Sequence, residues 1–393
     1  MSAIDHVRYL AETIGPRGST TSAEAAAAEY VFGELKRMGL RPVIEPFRSA
    51  RSAWAPFTLL FGLVIASGLL FLLVDRLGAI VALGLSIATL ASALVEMRFR
   101  PNPLRWLLPK GTSRNVWATI DAEESAAEQV VLVAHLDTHR TPLVFSSDAW
   151  VRLFAKLVPI GLGCAVLLIV LFGLGVLLPW ASLRYASIAP LGIALGILTL
   201  TLQAEFTPYT AGANDNASGV GVVLDLAERL ASEPLRNTSV WVLLTGCEEV
   251  GCYGADAFVR AHRSELGNAV WLAIDTVGSA DADPVYLVEE RFLATTRSDQ
   301  GIVSLAEEIC AAHPEWRVRP VETAGAYTEA VIGARYGLRV LTLGSRTRTG
   351  ALSEWHRPTD TVQNVSEETF EMTEAFVRRL LDALDALTET NQD

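Results

Sequence analysis

Five short strings in this 393-residue chain carry side chains of the kind that bind divalent cations, each at a strand end or a glycine-bounded turn. His135-Leu-Asp137 follows the apolar run 130–134. Alternation along an extended chain puts His135 and Asp137 on one side, where the carboxylate can hold a ring nitrogen and fix its tautomer. Gly212-Ala-Asn-Asp215-Asn-Ala-Ser218-Gly219 is a polar turn opening an apolar helix, with room for the Asp215 carboxylate to bridge two cations. Glu248-Glu249 follows the run 239–245 and precedes Gly251 and Gly254. Asp275 ends the run 270–274, and His356 lies in Glu354-Trp-His356-Arg-Pro-Thr-Asp360. Singly, each has a plain structural role: an Asp caps or turns the chain, paired glutamates are solvated, and a lone His is an ordinary polar contact. In series they are a nitrogen and oxygen donor set of the kind catalytic zinc takes, with Mn²⁺ or Co²⁺ as alternatives.

The elements that must position these groups alternate between strand and helix. Residues 1–39 read as two helices, the second alanine-rich and closed by Gly39. Strand-like runs lie at 42–47, 115–120, 130–134, 239–245, 270–275 and 340–343. Helical spacing appears at 217–231, 254–262, 300–312 and 367–387. Runs such as Val-Val-Leu-Val-Ala are apolar throughout, as strands covered on both faces are. The expected fold class is α/β: a mixed, mostly parallel central sheet with helices on both faces, its polar groups collected at the carboxyl ends of strands.

That pattern is interrupted twice by apolar sequence. Residues 54–74, 78–95, 157–179 and 186–202 contain no charged side chain, and helices of about 20 residues cross a hydrocarbon core roughly 30 Å thick. Glycines recur in Gly161-Leu-Gly163 and Gly192-Ile-Ala-Leu-Gly196, which suits close helix contact in lipid. The expected organisation is one hydrophilic domain in pieces (1–53, 97–156 and 204–393) with transmembrane hairpins at 54–96 and 157–203. Each hairpin returns the chain to its starting side. The hydrophilic flanks carry Arg48, Arg51, Arg98, Arg100, Arg105, Lys110, Arg114, Arg152 and Lys156, and the hairpin turns only Arg76 and Arg184. The reading is therefore a multi-pass membrane protein with its hydrophilic part in the cytoplasm.

Composition agrees. The chain is 51% hydrophobic and 19% charged, so part of it is built to leave water. A net charge of −12 argues against a nucleic-acid partner. Four cysteines (Cys164, Cys247, Cys252 and Cys310) are too few for a disulfide scaffold and suit a reducing compartment. Cys247 and Cys252, which flank the glutamates, read as small buried residues, and His139 as a polar loop residue. The first residues show no basic stretch followed by an apolar core, so no secretory signal is read.

Taken together, His-x-Asp, Asn-Asp-Asn-Ala-Ser-Gly, Glu-Glu-x-Gly-x-x-Gly, Ile-Asp-Thr-Val-Gly and the late His resemble the two-zinc exopeptidases of metallopeptidase family twenty-eight, of the bacterial leucyl aminopeptidase and glutamate carboxypeptidase type. The resemblance spans nearly all the hydrophilic chain, in family order. It implies that Asp215 bridges two Zn²⁺, that His135 and Asp275 complete one site and Glu249 and His356 the other, that Glu248 is the general base, and that Asp137 orients His135. It implies a zinc aminopeptidase acting on a peptide substrate, with two ions roughly 3.5–4 Å apart polarising the scissile carbonyl and acidifying a water between them. The sequence departs from the family at Tyr327-Thr328-Glu329, where relatives often carry a Ser-Asp pair, and at the two apolar insertions. The second insertion runs straight into the Asp215 turn, so an active site close to the lipid bilayer is expected, with a membrane-associated peptide as substrate.

Other readings are a glutaminyl-cyclase-like acyltransferase, an inactive membrane receptor or scaffold, and a transporter. The intact Asn-Asp-Asn-Ala-Ser-Gly turn argues against the first and the full donor set with its base against the second. The absence of ionisable residues in the apolar runs argues against the third.

Overall fold

Helices α1 (Ala3–Arg8) and α2 (Ser22–Arg37) open the chain, the second capped by Thr21, whose Oγ1 accepts from Glu24 N at 3.3 Å. Then follow β1 (Val43–Ala50), α3 (Ala55–Leu73), α4 (Arg76–Glu96), β2 (Lys110–Ile120), β3 (Glu128–His135), α5 (Asp148–Leu177), α6 (Ala181–Glu205), α7 (Gly219–Ser232), β4 (Thr238–Thr245) and α8 (Tyr253–Leu266). The remainder is β5 (Val270–Ile274), β6 (Ala282–Arg291), β7 (Thr295–Arg297), α9 (Gln300–Ala312), β8 (Arg319–Ala324), α10 (Ala330–Arg335), β9 (Arg339–Thr347) and α11 (Glu367–Thr390). The computed structural model describes residues 1–74, 76–100, 102, 105, 107–178 and 181–390.

The chain divides into two compact units. One comprises Met1–Arg51, Lys110–His139 and Tyr209–Asp393; the other comprises Ser52–Pro109 and Arg140–Pro208, taking in 97–109 and 140–156 along with the apolar runs.

The first unit is built on a nine-stranded mixed sheet in the order β1-β2-β4-β3-β5-β9-β6-β7, with β8 beside β6. Its centre, β4-β3-β5-β9, is parallel, and both margins include antiparallel pairs. In the register, His135 lies opposite Thr245 at the ends of β3 and β4, and Asp275 directly follows β5, its N–H donating to Leu343 O at 2.9 Å. The carboxyl ends of three adjacent strands therefore meet at one edge, where α/β sheets concentrate their chemistry. The core is sealed by strand residues such as Val130, Leu132, Val242, Leu272 and Leu341 against α7 (Val220, Val223, Leu224) and α11 (Phe376, Val377, Leu380). Each such side chain is worth about 1.5–3 kcal/mol when fully buried.

Sequence periodicity misses β6, β7 and β8. β6 contains Pro284 and ends in Glu289, Glu290 and Arg291, so it lacks the apolar alternation of a strand; its register comes from β9 and β8.

The second unit is a bundle in which α3 packs on α4 and α6, and α5 on α4 and α6. All four helices are long and apolar enough to cross a membrane. Its exterior shows Leu69, Leu73, Ile80, Val81, Val166, Val170, Ile188 and Leu195. Small groups face inward: a Cβ on Gly68 would lie 2.3 Å from Leu191 Cδ2, and Ala79 and Ala82 are buried. α5 starts at Asp148, nine residues before the apolar run expected at 157, because Ser147 Oγ caps it by accepting from Trp150 N at 3.3 Å.

Candidate metal centre

His135 is the last residue of β3 and 1% exposed. Its Nδ1 donates to the backbone carbonyl of Asp137 at 3.1 Å, so the neutral ring keeps its lone pair on Nε2. That Nε2 lies 3.3 Å from Asp215 Oδ1 and 3.9 Å from Asp275 Oδ1. The Asp137 carboxylate stands 3.6 Å from the ring, too far for a hydrogen bond. Its oxygens accept instead from the N–H groups of Glu248 and Glu249, at 3.0 and 3.2 Å, and from Ser19 Oγ at 2.6 Å. The expected steering of the ring thus runs through the Asp137 backbone, and the side chain anchors the glutamate loop.

The Asn-Asp-Asn-Ala-Ser turn is explained by its hydrogen bonds. Asn214 Oδ1 accepts from Gly278 N, Asn216 Nδ2 donates to Ile274 O, and Asn216 Oδ1 accepts from Thr276 N. Ser218 Oγ accepts from Val277 N and donates to Asn214 O. The turn is thereby laced to the segment around Asp275, leaving the Asp215 carboxylate to face the site. Its Oδ2 lies 3.3 Å from His356 Nε2, while Oδ1 faces His135.

Glu248 and Glu249 follow β4 on a tight turn whose Gly251 and Cys252 N–H groups donate to Glu248 O at 2.8 and 2.7 Å. Gly254 allows this: a Cβ there would sit 2.2 Å from Gly246 O. Glu249 Oε2 lies 3.3 Å from His356 Nε2, and its Oε1 is buried with no hydrogen-bond partner among the described residues. Glu248 Oε1 accepts from the Cys252 thiol at 3.2 Å. Burial and nearby carboxylates hold both Cys247 and Cys252 well above the usual thiol range, so they remain protonated and are poor cation ligands.

Two sets of ligand atoms cluster within 4.8 Å: His135, Asp215 and Asp275 in one, His139, Glu249 and His356 in the other. All five expected ligand positions fall in these two sets, which Asp215 Oδ2 links by lying 3.3 Å from His356 Nε2. His139 lies in the loop after β3, as expected, but it is 6% exposed and its ring stacks on His356 with centroids 3.7 Å apart.

The electrostatics show a site short of positive charge. Burial pulls His135 down, but Asp137, Asp215, Asp275 and Glu248 outweigh it and hold the imidazole well above its ordinary value. Likewise burial opposes, and Glu249 and Asp215 drive, a rise of His356 to about 9. Burial, reinforced by Asp215, lifts Glu249 to about 7, and burial, with its carboxylate neighbours, lifts Glu248 well above the carboxylate range. The His135 lone pair held on Nε2, three converging carboxylates and the unpartnered Glu249 Oε1 fit divalent cations, and the donor set of nitrogen and oxygen atoms is of the kind catalytic zinc takes.

Several supporting residues escaped the sequence reading. Arg17, buried, donates to five carbonyls: Leu136 through Nε, Leu10, Gly15 and Ala211 through Nη1, and Gly212 through Nη2. Asp360 accepts from Asn214 N at 2.6 Å and Asp215 N at 3.1 Å, and Glu24 accepts from Cys247 N at 3.0 Å. Asp360 stood in the His356 string and Arg17 in Gly15-Pro-Arg17-Gly; their polarity beside chain-reversing residues was the available signal. At the divergent segment, Glu329 is 2% exposed and accepts from Thr245, and Thr328 Oγ1 donates to Glu290 at 3.0 Å.

Residues 198–381 match the pattern of Peptidase family M28. In fold, the chain is similar to a leucine aminopeptidase precursor from Bacteroides thetaiotaomicron (13% identity, TM-score 0.57, 97% of this chain and 96% of that one covered). It is similar to a zinc aminopeptidase from Bacillus subtilis (14%, 0.57, 97% and 94%) and to the glutaminyl cyclase of Bacteroides thetaiotaomicron (13%, 0.56, 97% and 96%). By motif order and fold, this chain resembles the zinc exopeptidases of peptidase family M28, with two apolar helical hairpins inserted.

Proposed function

We propose that this chain is a membrane-anchored aminopeptidase dependent on two divalent cations. The observation that carries the reading is the position of Asp215, whose two oxygens face the Nε2 atoms of His135 and His356 at 3.3 Å each, as a carboxylate shared between two ions would. His135, Asp215 and Asp275 would hold one ion, and Glu249 and His356 with Asp215 the other. Bound there, divalent cations supply Lewis acidity toward a carbonyl oxygen and a water.

The protein's own part centres on Glu248. Burial makes its carboxylate an unusually good proton acceptor, and its Oε1 accepts from the Cys252 thiol at 3.2 Å. It takes the proton of the attacking water and returns it to the leaving amine. Asp137 holds the Glu248 and Glu249 amides, so the base and one ligand are fixed by a single carboxylate. The four apolar helices, with lipid-compatible exteriors, support an anchor of two hairpins; the basic residues of the hydrophilic flanks support a cytoplasmic catalytic unit.

The test is hydrolysis of a panel of aminoacyl chromogenic substrates by detergent-purified protein and its Glu248→Gln variant. The variant should lose about 10²–10⁴-fold in kcat with metal content unchanged. Full turnover by the variant removes Glu248 from its role. Ring closure of a glutaminyl substrate without peptide hydrolysis would replace the peptidase reading by cyclisation.

A further inference from the structure

The five positions of the family motif leave the His356 side with two side chains of its own and a share of Asp215. The structure brings a third. One ligand atom each from His139, Glu249 and His356 lie within 4.8 Å of one another, and His139 is as buried as the other two. Its backbone is held on both sides. Thr210 N donates to His139 O at 2.9 Å, and the adjacent Thr138 donates its N–H to Arg17 O at 3.1 Å and accepts from Arg17 N at 3.0 Å. A histidine held this way has little freedom to leave the cluster.

We infer that His139 is a sixth metal-ligating residue, completing the shell of the ion between Glu249 and His356; the inference rests on the two-cation reading above. With Asp215 Oδ2, that ion has two imidazole nitrogens and two carboxylate oxygens, the four donors that close a tetrahedral zinc site. The His135, Asp215 and Asp275 set has three and keeps a position open for substrate. Rings stacked 3.7 Å apart do not both aim in-plane lone pairs at one point, so coordination by both nitrogens would require His139 to rotate about its side-chain bonds. The two ions are consequently held unequally, the one beside His139 more firmly.

The experiment uses full-length, detergent-purified protein, with wild type, His139→Ala and His139→Phe compared by equilibrium zinc content during chelator dialysis and by Co²⁺ titration followed in the visible ligand-field bands. Phenylalanine keeps a ring to stack on His356 and removes the nitrogen. Both variants should bind one of two ions at least about tenfold more weakly and lose part of the cobalt spectrum. Rescue of wild-type affinity by phenylalanine but not alanine would show that stacking alone matters and overturn the inference, as would unchanged binding in both. If wild type takes up a single ion, the two-cation reading fails by itself, and His139 is then judged by whether the phenylalanine variant weakens that ion. No uptake at all overturns both.

Discussion

Asp137 accepts the backbone N–H of Glu248 at 3.0 Å, across 111 residues of sequence. The carboxylate two residues beyond His135 thus sets the position of the base, while its own carbonyl sets the tautomer of the imidazole. One residue couples the ends of β3 and β4, which the sheet register has already placed side by side.

Asp137→Asn should therefore impair turnover more than metal loading. An amide can accept only one of the two N–H groups and points its own donor at the other. A loss of about 10–100-fold in kcat is expected, with both ions retained, checked by steady-state kinetics beside metal analysis. Loss of metal with normal residual kcat would place Asp137 in ligand support alone.

Arg17→Met should destabilise the catalytic unit by roughly 3–5 kcal/mol, because four buried carbonyls and the half-buried one of Ala211 lose a charged donor. Denaturant unfolding monitored through tryptophan fluorescence reads this directly. Arg17→Lys, with three donors, should recover only part of it. A change below about 1 kcal/mol would mean the carbonyls find water.

Cation uptake should strengthen as pH rises. Without metal, His356 titrates at about 9 and Glu249 at about 7, so a cation must displace protons below those values. The metal-free protein should show the opposite trend in stability. These groups bind protons more tightly folded than unfolded, at 4.5 for an ordinary Glu and 6.5 for an ordinary His, so stability present at low pH is lost as pH climbs through about 7 and then about 9. Equilibrium dialysis and thermal melts from pH 5 to pH 9 measure both; affinity independent of pH would refute the charge balance described here.

Topology is tested by labelling. A cysteine replacing the exposed Leu77 or Tyr185, near the starts of α4 and α6, should react with an impermeant maleimide only from outside the cell. A cysteine replacing Arg152 should be protected until the membrane is opened. The reverse pattern would place the catalytic unit outside, and equal access from one side would eliminate the crossings.

The strand ends that carry the donors were readable from periodicity, because an apolar run followed by a polar turn is a local signal. The apolar runs 54–74 and 78–95 likewise became α3 and α4 with ends shifted by a few residues. β6 to β8 were not readable: Glu290 looks like a surface charge, yet it is buried because Thr328 and Thr342, far along the chain, hydrogen-bond it. The burial of His139 in its loop was not readable for the same reason, since its ring packs on His356, which comes from more than two hundred residues later.

By itself, the sequence determined the donor types, their order along the strands and the length of the apolar segments. These follow from side-chain chemistry and short-range periodicity, which need no partner. Only the tertiary structure decided which donors meet: that Asp215 stands between two imidazoles, that Arg17 and Asp360 hold its turn, and that His139 joins the far half of the cluster. Such contacts arise when sheet register and turn geometry bring distant segments within a few ångströms, and no local pattern encodes a distance across the chain.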